Sequence, residues 1–148
     1  MDKIAHIIIG AAAVAVLAVF MSSIAGWHFD AKELITIIIV TYLFCLLPDI
    51  DHPISTITWH FLGIGIAGLV ISFFSYGQNL MFASIVLLVL TFLCAQFAGH
   101  RGPIHTVWAG ALFAIPLYLI FHDYRLCIIA WVAYYSHLAA DGYWFKTS

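Results

Sequence analysis

LITIIIVTYLFCLLPDIDHP, residues 34–53, changes character abruptly. An apolar run of branched and aromatic side chains ends at Leu47, and two aspartates and a histidine follow, held between Pro48 and Pro53. Only 8% of the 148 residues are charged, so acids are scarce and their clustering behind a greasy segment calls for a reason. The prolines supply half of it. They stop the preceding helix and restrict the residues before them, so Asp49, Asp51 and His52 sit on a stiffened loop at the end of a hydrophobic span.

Working outward, 65% of the chain is hydrophobic and its mean hydropathy is +1.09. One small soluble core cannot enclose that much apolar surface, and apolar runs near membrane-spanning length recur throughout, which sets aside a soluble helical protein. Backbone in lipid must satisfy its own hydrogen bonds, so each run is expected to be helical. Six runs qualify: Ile4 to Ala25, Glu33 to Leu47, Trp59 to Phe74, Leu80 to Ala98, Thr106 to Phe121 and Leu126 to Ala140. The second, third and sixth fall short of the roughly 20 residues of a perpendicular span. The first resembles a signal peptide in its basic start and small residues near Ala25, but it is counted as a retained span. The expectation is an all-α polytopic membrane protein, one integral domain over residues 1–148, built as a bundle of about six transmembrane helices. Pro116 is expected to kink the fifth.

A net charge of −2 without a basic patch excludes a nucleic-acid partner. Cys45, Cys94 and Cys127, each inside an apolar run, read as small buried hydrophobes. The separators between spans are short, so successive helices alternate direction. His6, the Asp49-Asp51-His52 loop, His100, Arg101, His105, His137 and Asp141 then share one membrane face. The opposite face receives His28, Asp30, Lys32, Glu33, His122, Asp123 and Arg125, an ordinary mixture of solvated turns and snorkelling side chains. Trp27, Tyr76, Tyr124 and Trp131 on this side, and Trp59, Tyr143 and Trp144 on the other, suggest aromatic belts. His60, without an acidic neighbour, reads as a hydrogen-bonded packing residue.

Imidazole and carboxylate are ligands for zinc, manganese or iron. SHLAAD places His137 and Asp141 at i and i+4 on one helix face, and HRGPIH folds His100 and His105 about a Gly-Pro turn. Burying these imidazoles and acids together without a cation leaves desolvation and repulsion uncompensated. The expected metal donors are therefore His6, Asp49, Asp51, His52, His100, His105, His137 and Asp141. Eight donors exceed the four of one zinc, which favours more than one divalent ion, zinc foremost.

In this combination and order, the histidine opening the first span, LPDIDHP, HRG…H and SHLAAD resemble the YdjM-like family of membrane-bound metal-dependent hydrolases, over essentially the whole chain. The family is in turn similar to zinc-dependent phospholipase C. The resemblance implies a hydrolase. One departure is local: Pro103 and Ile104 stand where the family tends to carry an aliphatic residue and threonine, which removes a hydroxyl from beside His105.

The residues and the resemblance together suggest hydrolysis of a phosphoric ester of a membrane lipid or other amphiphile by metal-activated water. Arg101 suits a phosphate grip, and Asp49 or Asp51 suits a general base. A metal or proton transporter is the rival, and it would need ionisable groups at mid-depth, where most spans are bare. A scaffold with a structural metal is the third reading. Lys3, Arg101 and Lys146 against Lys32 and Arg125 bias the site face slightly towards the cytoplasm. The sequence specifies no oligomeric state.

Overall fold

The computed structural model describes residues 3–52, 54–75, 77–97 and 103–142. Six α-helices fill it, with no strand among the described residues: α1 (Lys3–Ala25), α2 (Ala31–Leu46), α3 (Thr56–Ser75), α4 (Gln78–Phe97), α5 (Val107–Phe121) and α6 (Tyr124–Ala140). Short 3-10 segments follow α2 (Leu47–Asp51) and precede α5 (Pro103–His105). α1, α3 and the stretch Ala31–Ile50 are long and apolar enough to cross a membrane. The third span reaches 20 residues because Ser55 starts it early, its hydroxyl accepting the Thr58 N–H. The shortest helix is instead α5, at 15 residues, and it continues through Pro116.

Contacts group the chain into two compact units, residues 1–48 with 103–148, and residues 49–102. In the first, α6 packs against α1, α2 and α5. Being touched on three sides, it carries the driest residues: Ile129, Ala130, Ala133, Tyr134, His137 and Leu138 are all 0% exposed. The outer faces keep Val16, Val19, Phe20, Ile38, Leu119 and Ile120 exposed, as lipid-facing surfaces do. Because lipid is as apolar as leucine, the helices are held by close packing. Gly10 shows how close: a Cβ there would lie 1.9 Å from Cys45 Sγ.

In the second unit, α3 and α4 form a helical hairpin. Gly65 and Gly68 let α4 approach, so a Cβ at Gly68 would sit 2.2 Å from Ser84 Oγ. The buried hydroxyls of Ser72, Ser84 and Thr91 donate to carbonyls of their own helices at 2.7–2.8 Å, so each of the three is satisfied.

Candidate metal centre

The end of the first unit where α1 begins and α6 finishes gathers the ligand-type side chains. Cys45 lies in the last turn of α2, three residues before Pro48, where carbonyls run out of intrahelical donors. His137, fully buried on α6, donates its Nδ1–H to the Cys45 carbonyl at 2.7 Å. That bond fixes the tautomer. Neutral His137 must carry its lone pair on Nε2, which faces Asp141 Oδ2 at 3.4 Å. Two acceptors opposed in a buried place need a proton or a cation between them. Ligating histidines characteristically donate their other N–H to a carbonyl in this way.

His6, in the first turn of α1 and 3% exposed, stacks on His137 with ring centroids 4.0 Å apart. Its Nε2 lies 3.0 Å from Asp141 Oδ1, so one carboxylate serves both imidazoles. Asp141, just beyond the end of α6, is pushed up by burial. The hydrogen bond from His6 and the charges of His137 and His6 outweigh this and hold it below the ordinary carboxylate value. His6, His137 and Asp141 each offer one ligand atom within 4.8 Å of the others. Two nitrogens and an oxygen suit zinc, manganese or iron, and three protein ligands leave a position open on a tetrahedral ion.

His105 flanks the group. It is 1% exposed and meets the His137 ring edge-on at 6.1 Å, with ring nitrogens within 4.8 Å. The Tyr134 hydroxyl donates to the carbonyl of Ile104, where the sequence pattern lacked a threonine hydroxyl. Gly110 admits the ring, since a Cβ would come 2.6 Å from Tyr134 Cδ1. The backbone beside His105 is thus anchored from α6.

Asp49, Asp51 and His52 open the second unit. The His52 N–H donates to the Asp49 carbonyl at 3.1 Å, and the Thr58 hydroxyl lies 3.0 Å from the His52 carbonyl and 3.3 Å from that of Ile50. The loop is therefore ordered by α3. His100 and Arg101 lie outside the described residues, as do Tyr76, Tyr143, Trp144 and Lys146.

Several sequence expectations change. The mixed charges at the opposite end are not all independent solvated turns: Arg125 gathers Glu33, Asp123 and the His28 backbone. Its guanidinium pairs with Asp123 at 2.9 Å and Glu33 at 2.5 Å, donates to the His28 carbonyl at 2.9 Å and lies 5.0 Å above the Phe29 ring. Burial raises the Asp123 carboxyl, but hydrogen bonds and charge from Arg125 prevail and hold it low. Asp30 and Glu33 close a reciprocal capping box at the start of α2. Trp27 is 4% exposed against Phe29 and Tyr124 and so belongs to no aromatic belt. Trp131 turns inward to α5, its indole donating to the Val107 carbonyl. His60 is hydrogen-bonded as expected, its ring donating to the Thr56 carbonyl at 2.6 Å, but it is exposed and so is not a packing residue.

The model of the YdjM inner membrane protein family matches residues 1–146. The chain belongs to this family. It is accordingly an integral protein of the inner membrane, and in this YdjM-family chain the buried histidines lie at the ends of apolar helices. No curated protein and no solved structure gives a significant match.

Proposed function

We propose that the chain is a membrane-embedded hydrolase that uses a divalent cation, zinc foremost with manganese or iron as alternatives, to cleave a phosphoric ester of a lipid or other amphiphile with water. One observation carries the reading: His137 spends its Nδ1–H on the Cys45 carbonyl and turns Nε2 towards Asp141, beside His6. His6, His137 and Asp141 would hold the ion. When bound, it would supply Lewis acidity, polarising a phosphoryl oxygen and acidifying a water.

The chain's own groups do the rest. The Cys45 carbonyl orients His137, and Asp141 presents one carboxylate oxygen to His137 and the other to His6. His6 would ligate through Nε2, the atom that meets Asp141 Oδ1. Asp49 or Asp51 as general base and Arg101 as phosphate grip enter by their chemistry and not by position. The number of donors in the sequence favours more than one ion.

Metal analysis of the purified protein is the test. His137→Ala and Asp141→Ala should each lower the metal bound per chain, and unchanged stoichiometry in both removes α6 from the site. Reconstituted protein should release phosphate or a phosphorylated head group from lipid. Metal crossing liposomes with no ester cleaved would instead make the chain a transporter.

A further inference from the structure

We infer that the groove between α1 and α6 holds one hydrocarbon chain of the membrane phosphoester whose head group reaches the His6-His137-Asp141 cluster. The inference rests on the proposed hydrolase reading and adds where the substrate lies and from which side it enters.

A cavity of about 380 Å³ is lined by Ile9 and Ala13 of α1 and by Val132, Tyr135, Ser136, Ala139 and Ala140 of α6. Its placement is the argument. Ile9 stands one turn beyond His6, while Ser136 precedes His137 and Ala140 precedes Asp141. On both helices the lining therefore begins beside the candidate ligands and runs towards the middle of the membrane. From Ala140 back to Val132 it follows α6 for about 12 Å, enough for a stretch of one extended alkyl chain.

Its shape comes from side-chain size. Ala13, Ser136, Ala139 and Ala140 leave the space, and Ile9, Val132 and Tyr135 stand around it. Tyr135 is steadied by face-to-face stacking on Trp131, with centroids 5.7 Å apart and planes within 10°. The surroundings name the occupant, because an apolar groove with one wall formed by α1, a helix long and apolar enough to cross a membrane, meets hydrocarbon. Lipid to groove is a transfer between apolar media, so the preference for this groove over other lipid-facing surfaces comes from the head group held at the adjoining His6-His137-Asp141 cluster. What the groove offers is position, holding the ester at the cluster.

The probe is a phospholipid with a diazirine in its acyl chain, added to vesicles containing the full chain, with labelled peptides mapped after irradiation. The substitutions are Ala139→Phe and Ala13→Phe, which fill the groove without touching a candidate ligand. Wild-type labelling should concentrate on residues 9–13 and 132–140, and Ala139→Phe should reduce it to the level of other lipid-facing helices, with bound zinc unchanged. Equal labelling of all exposed faces, or labelling that survives both fillings, overturns the inference. So does a shift from dimer to monomer on filling, which would make the groove the seat of a second copy.

Activity separates this inference from the reading beneath it. Filling should lower phospholipid cleavage by roughly 10²-fold, as for ~1 Å of misplacement, and leave cleavage of soluble bis(4-nitrophenyl) phosphate unchanged. If neither ester is cleaved by wild type, the hydrolase reading fails while the labelling pattern still decides the groove.

Discussion

Gly10→Ala tests the packing that brings α1 to the candidate metal centre. The added Cβ would lie 1.9 Å from Cys45 Sγ and 3.1 Å from Ser136 Oγ. That is about 1.5 Å short of ordinary contact with the sulfur, and Cys45 is 0% exposed, so its thiol has little room to swing aside. α1 must retreat. Overpacking of this kind costs about 1–3 kcal/mol. Alanine's helix propensity, about 1 kcal/mol over glycine in water, offsets little, because membrane helices remain largely formed in the reference state. The same retreat separates His6 from Asp141. Their 3.0 Å contact needs only about 0.5 Å of movement to pass the limit of a useful hydrogen bond.

Thermal unfolding in detergent should therefore show a lower midpoint for Gly10→Ala, and zinc titration a weakening of about 10–100-fold, the scale seen when ligand support is lost. Cys45→Ala removes the clashing sulfur and keeps the carbonyl that binds His137. The double variant should be more stable than the sum of its parts, with a coupling of about 1–2 kcal/mol. A Gly10→Ala protein with wild-type midpoint and zinc affinity, or a double variant showing no coupling, refutes the argument that this contact sets the position of His6.

Arg125→Ala should cost about 1–2 kcal/mol in chemical denaturation, because it strands Glu33 and Asp123 near one another and frees the start of α2 from that of α6. Acid should act through Asp123. Its folded carboxyl lies below the ordinary 3.8, so the stabilisation is complete above that value and disappears as pH falls through the lower folded one. An Asp123→Asn protein should lose that part of the acid dependence, and coincident stability–pH curves for the two proteins would count against the ion pair. Tyr134→Phe removes the hydrogen bond to the Ile104 carbonyl and should cost about 1 kcal/mol while broadening the His105 ring signals in NMR. Unaltered His105 resonances would mean that Tyr134 does not position that segment.

Much of this architecture could be read from residue order. Apolar runs broken by short polar turns gave six helices, because backbone in lipid has no other partner than itself. Alternating direction assigned ends to the helices, and the i, i+4 spacing of His137 and Asp141 made them neighbours on one turn. The prolines around Asp49 marked the end of α2. These are local properties, set within a few residues along the chain.

Contacts across the bundle were another matter. His6 reaches Asp141 across 135 positions, and His137 finds the Cys45 carbonyl across 92. Which way each helix is rotated about its axis depends on where small residues let neighbours close in, at Gly10 against Cys45 and at Gly110 against Tyr134. Hydrophobicity could not disclose that rotation, since these helices are apolar on nearly every face and lipid rewards all faces alike. For the same reason Arg125 looked like one more interfacial charge until the starts of α2 and α6 were side by side. The residues that can bind an ion were legible from their chemistry. Which of them meet was decided by packing.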